Sequence, residues 1–184
     1  MAVQDRPYTA GDLWALQSSG KHFELISGVL VEVSPTGEIH TVLATWIAYL
    51  ILVYVDAHDL GEVTGEIGGY LLAPDTVLAP DVGFISKDRL TARTGQGYIP
   101  VAPDLAVEIM SPGDTANEIN DKVLRYLQAG TQLCWVVYPV SKTVTVYKAS
   151  HEGAIIGIDA FLDGGAVLPG FSLPVRDIFK KLRE

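Results

Sequence analysis

The apolar segment VLATWIAYLILVYV, at residues 42–55, constrains the fold of this chain more than any other feature, because only Thr45 interrupts it. The segment falls short of the roughly 18 to 20 apolar residues that span a bilayer. We therefore interpret it as a helix that is buried on most of its sides, and we expect no membrane segment. A second copy of the chain would cover such a helix as well as the chain's own core, so the segment also suggests a homodimer.

The bulk properties indicate one folded domain over residues 1–184, since 48% of the residues are hydrophobic and only 19% are charged. The formal net charge of −9 has the wrong sign for holding a polyanion by general attraction. A nucleic-acid role would therefore need a local basic patch or metal ions. The single cysteine, Cys134, excludes an internal disulfide and a cysteine metal cluster, and no secretory leader is recognisable, so we expect a cytoplasmic protein.

Helical and strand patterns alternate along the chain. We predict helices at residues 10–19, around 42–55, at 115–129 and within 168–182. We predict strands at residues 22–26, 29–34, 61–74, 81–86, 105–110, 132–139 and 142–149. The strand at 61–74 is expected to turn and pair with the strand at 81–86. This order predicts an α/β (α+β) fold in which helices flank a central mixed sheet.

Two carboxylates in these strands suggest a cation site. In LAVEIM, residues 105–110, the period of two places Ala106, Glu108 and Met110 on one face. An isolated buried carboxylate is costly, so Glu108 must face water, a cation or a polar partner. Asp81 precedes VGFI and can lie at the edge of the same sheet. If the strands are neighbours, the like charges repel and favour Mg²⁺, which takes one or two carboxylates and keeps waters that a phosphate can replace.

Lys122 lies at the border of the buried stripe of the helix predicted at 115–129. A helix that leaves the Glu108 strand could direct this ammonium back to the strand's end, where it would stabilise charge on a phosphate or orient a water. In the alternative, the lysine stem lies along apolar surface and its ammonium reaches solvent. The spacing alone favours this alternative.

An ordered set of motifs resembles one family. It consists of FELISGVLVEVSP, a helix that opens after His40, APDVGFI, PDLAVEIMSPGD, DKVLRYLQAGTQLCWVVYP and LPGFSLPVRDIF. Together they resemble the Uma2 family of restriction-endonuclease-like proteins, also called DUF820, in the PD-(D/E)XK nuclease superfamily. The resemblance covers roughly residues 8–180 and implies a restriction-endonuclease-like core.

The resemblance also implies an activity and its residues. The expected activity is hydrolysis of phosphodiester bonds in nucleic acid, with DNA as the expected substrate and Mg²⁺ or Mn²⁺ as cofactor. Asp81 and Glu108 would bind the metal with the main-chain carbonyl of Ile109, and Glu24 corresponds to the first acidic residue of the family. The lysine of the superfamily normally follows two residues after the third-motif acid, where this chain has Met110.

In the family, the lysine is instead expected on the next helix, in a pattern that Lys122, Tyr126 and Gly130 match. The resemblance therefore assigns Lys122 a catalytic role. For Glu24 three roles remain open, namely a metal ligand, a structural partner of a helix, and a solvated strand residue. His40 begins the buried helix where the family tends to carry a histidine, and we expect it to lie beside the metal ligands rather than to bind metal.

Cations near the loop after the Asp81 strand could form the basic patch that the overall charge does not supply. They are Lys87, Arg89 and Arg93, in KDRLTARTGQGY. A substrate-binding role for these three residues competes with a plain solvated loop.

Two functions from different classes are therefore open. The first is a metal-dependent endonuclease, and the second is a catalytically inactive nuclease-like fold that binds nucleic acid or another protein. The net charge of −9 and the residue Met110 favour the second. A separation of more than about 6 Å between the Asp81 and Glu108 carboxylates would also favour it, as would a Lys122 ammonium that points away from them. A glycosidase is disfavoured, because the sequence shows no sign of a sugar groove.

Overall fold

The computed structural model describes residues 6–92, 95–150 and 152–182. The helices are α1 (Ala10–Ala15), α2 (Glu38–Ala57), α3 (Ala116–Gln128) and α4 (Val175–Phe179), with short 3-10 helices at Gln17–Ser19 and Lys87–Ala92. The strands are β1 (His22–Ile26), β2 (Val29–Val33), β3 (Gly61–Thr64), β4 (Tyr70–Ala73), β5 (Thr76–Leu78), β6 (Val82–Ser86), β7 (Leu105–Ile109), β8 (Leu133–Tyr138), β9 (Thr143–Lys148), β10 (Gly153–Ile156), β11 (Phe161–Asp163) and β12 (Ser172–Pro174).

The strands form a central mixed sheet and two smaller sheets. The six-stranded sheet has the order β10-β9-β8-β7-β6-β3, the four-stranded sheet has the order β2-β1-β5-β4, and β11 pairs with β12. Strands β7 and β8 are parallel, whereas the other neighbours in the six-stranded sheet are antiparallel. Helix α3 connects the parallel pair, as a crossover of this kind requires. The predicted mixed sheet with flanking helices is therefore confirmed.

Helices cover both faces of the central sheet. On one face, Leu43 and Ile47 of α2 and Ile178 of α4 share a buried cluster with Val107 of β7 and Trp135 of β8. On the other face, α3 shares a cluster with β7, β8 and Leu78 of β5. Because β5 belongs to the four-stranded sheet, α3 links the two larger sheets. Alternate residues of β7 consequently face different helices.

Local sequence signals explain several elements. Helix α3 begins with a capping box, in which the Thr115 side chain accepts a hydrogen bond from the Glu118 backbone and Glu118 accepts one from the Thr115 backbone. The turn between β1 and β2 consists of Ser27 and Gly28, both with positive φ, as a tight hairpin requires. Of the helix predicted at residues 10–19, only Ala10–Ala15 is α-helical. Gln17–Ser19 form a short 3-10 helix instead.

The predicted strand at residues 61–74 is wrong, because the structure divides it into β3 and β4 in different sheets. Strand β3 pairs with β6, whereas β4 pairs with β5. The break falls at residues 65–69, where three glycines flank Glu66 and Ile67, and Ile67 has a φ of 71°. Backbone in this left-handed region ends a strand.

Helix α2 is less buried than the sequence suggests. Its buried stripe consists of His40, Leu43, Ala44, Ile47, Ile51 and Val55. Large apolar residues elsewhere on the helix are exposed, namely Ile39, Val42, Tyr49, Leu52 and Val53. The expectation of burial on most sides is therefore wrong for one chain, because one sheet face covers only one stripe of a helix.

The helix is also longer than the apolar run from which it was predicted. Over Glu38–Ala57 it is long and apolar enough to cross a membrane by length and composition alone. The core helix of a folded domain satisfies the same criteria, and α2 packs on the central sheet. We therefore retain the interpretation of α2 as a core helix.

Candidate active site

Asp81 and Glu108 lie on neighbouring strands of the central sheet. Val82 pairs with Val107 in the antiparallel register of β6 and β7, so Asp81 directly precedes the paired part of β6 and Glu108 directly follows Val107 in β7. The Asp81 carboxylate also accepts a hydrogen bond of 2.7 Å from the Ile109 N–H. Asp81 and Glu108 therefore lie near the same end of β6 and β7, and their role as a pair of metal ligands stays a prediction.

The Glu108 carboxylate is buried and held at both oxygens. Its Oε1 accepts a hydrogen bond of 2.9 Å from the Tyr126 hydroxyl, and its Oε2 lies 3.5 Å from the Lys122 Nζ. Burial raises the pKa of Glu108, the charge of Lys122 opposes this rise, and the charge of Asp81 adds to it. Glu108 therefore takes up a proton more readily than an exposed carboxyl, unless a cation compensates its charge.

The Lys122 ammonium points into the carboxylate cluster and not into solvent. It donates a hydrogen bond of 3.0 Å to Glu24 Oε1 and lies 3.5 Å from Glu108 Oε2. Burial alone would lower the pKa of Lys122, but the charges of Glu108 and Glu24 raise it above its usual range. The alternative in which the ammonium reaches solvent, which spacing alone favoured, is therefore wrong, and a catalytic role of Lys122 stays a prediction.

Glu24 of β1 contacts both helix α3 and the backbone that follows β5. Its Oε1 accepts hydrogen bonds from Lys122 and, at 3.2 Å, from the Ala79 N–H. These contacts make Glu24 a structural partner of helix α3, which is one of the three roles left open by the sequence. A role as metal ligand stays a prediction.

His40 connects Asp81 to a residue that the sequence did not single out. Its Nε2 lies 3.1 Å from Asp81 Oδ2, and its Nδ1 lies 3.4 Å from Glu66 Oε1. One ligand atom from each of these three side chains lies within 4.8 Å of the others. Within residues 6–92, 95–150 and 152–182, this is the one such group of three metal-ligating side chains. Burial would lower the pKa of His40, but Asp81 and then Glu66 raise it above its ordinary value.

A cleft of about 140 Å³ opens beside this group. Its walls are the α2 residues Ala44, Thr45 and Ala48 on one side and Gly65, Glu66 and Asp81 on the other. Small side chains on α2 thus leave room for solvent next to Asp81. The carboxylates of Glu66 and Asp81 are accessible from this cleft, while His40 is 6% exposed.

The family model whose description is "Putative restriction endonuclease", Uma2, matches residues 11–176. The chain belongs to the Uma2 family. No curated protein matches it. A crystal structure of a "putative nuclease belonging to DUF820" from Anabaena variabilis ATCC 29413 is similar, with a TM-score of 0.80 and 22% identity over 94% of this chain and 98% of that chain. At this identity the similarity shows the fold, which is nuclease-like, and the family supports a nuclease-like function.

Two of the three cations predicted to bind substrate have partners within this Uma2 protein. Lys87 forms an ion pair with Asp59. Arg89 donates a hydrogen bond of 2.7 Å to the buried Asp104. Arg93 lies outside the described residues. A substrate-binding role for these three residues stays a prediction, and it requires Lys87 and Arg89 to exchange a carboxylate for a phosphate.

Sequence reasoning missed the place of two residues at the site. Tyr126 was identified by its position in the buried stripe of α3, but not as a hydrogen-bond donor to Glu108. A tyrosine on a buried face needs a partner for its hydroxyl, and this rule could have indicated one. Glu66 gave no usable signal, because it lies in a glycine-rich turn where an acid is unremarkable.

Proposed function

We propose that this Uma2 protein is a metal-dependent endonuclease that hydrolyses phosphodiester bonds of nucleic acid, with DNA as the substrate. The observation that carries this proposal is the Lys122 ammonium, which lies between the Glu108 and Glu24 carboxylates at the strand end where Asp81 is also held. The family supplies the reaction class. The position of Lys122 thus supports a role for this residue in place of the lysine that is missing at position 110.

The donor set suits Mg²⁺ or Mn²⁺. Asp81, Glu108 and the main-chain carbonyl of Ile109 offer oxygen ligands, which hard divalent cations prefer. The charge of Asp81 contributes to the raised pKa of Glu108, so the pair carries repulsion that an ion would relieve. A bound ion lowers the pKa of a coordinated water and neutralises charge on the scissile phosphate. Glu24 is a further candidate ligand on the Lys122 side.

The protein's own groups prepare the site. The Ile109 N–H fixes one oxygen of Asp81, and the Tyr126 hydroxyl fixes one oxygen of Glu108. The Lys122 ammonium can donate to a non-bridging phosphate oxygen or orient the attacking water. Preorganised donors of this kind stabilise the charge that develops on a pentavalent phosphate without rearranging during the reaction.

Cleavage of supercoiled plasmid and of labelled duplex in Mg²⁺ or Mn²⁺ tests the proposal. We expect nicking by the wild type and a loss of at least about 100-fold in rate for Glu108→Gln and Asp81→Asn. The matched control is Glu32→Gln, because Glu32 is exposed and its ion pair is with the exposed Lys21. Absence of cleavage by the wild type in both ions, or full activity of Glu108→Gln, contradicts the proposal.

A catalytically inactive nuclease-like module is the second candidate. Lys122 bridges two buried carboxylates, which is also the arrangement of a purely structural ion cluster. The net charge of −9 and Met110 favour the same candidate. Gel-shift binding of nucleic acid or capture of a defined protein partner, without cleavage in any divalent ion, would support it.

We also propose a homodimer and a cytoplasmic location. The exposed apolar residues of α2 support the dimer, because a twofold interface would bury this helix face in both copies at once. The location rests on Cys134, a buried thiol without a disulfide partner. Cell fractionation tests the location, and sedimentation of the wild type tests the dimer.

A further inference from the structure

The His40 imidazole lies between two carboxylates and is nine-tenths buried. Its exposed fraction is 6%, and its Nε2 contacts Asp81 at 3.1 Å. Its Nδ1 has no hydrogen-bond partner, although Glu66 Oε1 lies 3.4 Å away. A buried polar atom without a partner is uncommon in folded proteins and requires an explanation.

The chemistry of imidazole limits the explanations. A neutral imidazole carries one N–H and one lone pair, so it can donate to only one of two flanking carboxylates. Its lone pair then faces an anionic oxygen, which is repulsive. The arrangement becomes favourable when the imidazole takes up a second proton and donates to both carboxylates, or when one cation is bound by the imidazole and the two carboxylates together.

We propose that His40, Glu66 and Asp81 form a binding site for a divalent first-row transition cation, represented experimentally by Mn²⁺. Their ligand atoms lie within 4.8 Å of one another, so one ion can contact all three. One imidazole nitrogen with two carboxylates favours a transition metal over Mg²⁺, which prefers oxygen ligands. The adjacent cleft leaves space for water ligands and a route of entry.

The site differs from the Asp81–Glu108 pair and shares only Asp81 with it. On the α3 side, Lys122 already contacts Glu108 and Glu24. On the α2 side, Glu66 and Asp81 line the cleft, and no lysine or arginine is among the described residues that line it. A cation here would place positive charge beside Asp81, in addition to the Lys122 ammonium beside Glu108. A catalytic role of this cation rests on the proposed function, whereas the test of cation binding does not.

Calorimetric titration of the full-length protein with Mn²⁺, without nucleic acid, tests the site. We expect Mn²⁺ binding that weakens at least tenfold in His40→Gln and in Glu66→Gln. Mg²⁺ should compete poorly. The matched controls are His58→Gln and Glu38→Gln, which remove the same groups from exposed positions on or next to α2 and should bind like the wild type.

Pulsed electron paramagnetic resonance of the bound Mn²⁺ supplies a second readout. We expect a nitrogen coupling that is present in the wild type and in His58→Gln and absent in His40→Gln. Glu66 is one-third exposed in a turn, so Glu66→Gln keeps the test informative if His40→Gln fails to fold. Unchanged Mn²⁺ affinity in Glu66→Gln, or no nitrogen coupling in the wild type, overturns the proposal.

The outcomes separate this inference from the proposed function. If Mn²⁺ binds through His40 and Glu66 but no nucleic acid is cleaved, the site stands and the endonuclease proposal fails. If cleavage occurs and Mn²⁺ binding is lost in Glu108→Gln but retained in Glu66→Gln, the endonuclease stands and this site is refuted.

Discussion

At the scale of single residues, Lys122 decides the electrostatics of the site. The side chains of Glu24 and Glu108 are 8% and 6% exposed, and Lys122 is the cation in contact with both. Buried carboxylates of this kind are stable as anions only when a cation or hydrogen-bond donors compensate them. The position of one ammonium therefore affects folding as well as the proposed chemistry.

We predict that Lys122→Met lowers the free energy of unfolding by about 3 kcal/mol, because removal of one partner leaves buried charge uncompensated. Urea unfolding measures this quantity. The control Lys148→Met, at an exposed position of β9, should change it little. The triple variant Glu24→Gln/Glu108→Gln/Lys122→Met should recover part of the loss. A variant Lys122→Met as stable as the wild type would contradict the prediction.

Tyr70 gives a second prediction at the same scale, this time of pH dependence. Its hydroxyl lies 2.7 Å from Thr64 Oγ1, and burial raises its pKa from 10.0 to about 12. Between pH 10 and pH 12 the unfolded phenol ionises while the folded phenol stays neutral, so stability falls as pH rises.

We therefore predict that the free energy of unfolding falls less in Tyr70→Phe than in the wild type as the pH rises from 10 to 12. At pH 12 the two losses should differ by about 2 kcal/mol. Denaturant unfolding at pH 9 and pH 11.5 measures the difference. Tyr49→Phe removes an exposed hydroxyl from α2 and is the control. Equal pH slopes for the wild type and Tyr70→Phe would refute the assignment.

At the scale of elements, the strand that directly follows Asp81, β6, packs closely against Thr64 of β3 and Tyr70 of β4. Gly83 of β6 pairs with Thr64 of β3 and leaves the space that the Tyr70 hydroxyl occupies. A Cβ added at Gly83 would collide with the Tyr70 hydroxyl and lie 2.7 Å from Thr64 Oγ1. A residue without a side chain is therefore required at this point of the strand.

We predict that Gly83→Ala lowers the free energy of unfolding by about 1–3 kcal/mol, through overpacking and loss of the Tyr70–Thr64 hydrogen bond. Thermal and denaturant unfolding provide the measurement. Gly157→Ala is the control, since a Cβ there meets nothing within 4 Å. Wild-type stability of Gly83→Ala would show that Tyr70 moves aside without cost.

At the scale of the whole molecule, the exposed residues of α2 are the feature that one chain leaves unexplained. Tyr49, Leu52 and Val53 are each about half exposed on a helix whose other stripe is buried in the core. Contiguous apolar surface of this kind usually marks an interface. In a twofold dimer each α2 would lie against its own copy.

We predict that the wild type sediments as a dimer and that Leu52→Glu sediments as a monomer, because two buried carboxylates would face each other across the axis. Analytical ultracentrifugation across a concentration series measures the association. Ile155→Glu, at an exposed position of β10, should remain dimeric. A monomeric wild type at the highest concentration would exclude this interface.

The sequence alone determined those parts of the protein that depend on neighbouring residues. The capping box at Thr115 and Glu118 and the Ser27–Gly28 turn are local interactions, so their signals are complete within a few residues. The alternation of LAVEIM likewise placed Glu108 on the face opposite Val107. The family motifs, carried by the same short segments, indicated the fold.

Only the tertiary structure decided which distant side chains meet. Lys122 contacts Glu24 across 98 positions of the chain, and His40 meets Glu66 only because the chain turns between α2 and β6. Arg89 was predicted either to bind substrate or to lie in a solvated loop, and the structure pairs it with the buried Asp104. Periodicity assigns a residue to a face but not to a partner. The path of the chain brings the partners together, and burial then sets the electrostatic cost of leaving them unpaired.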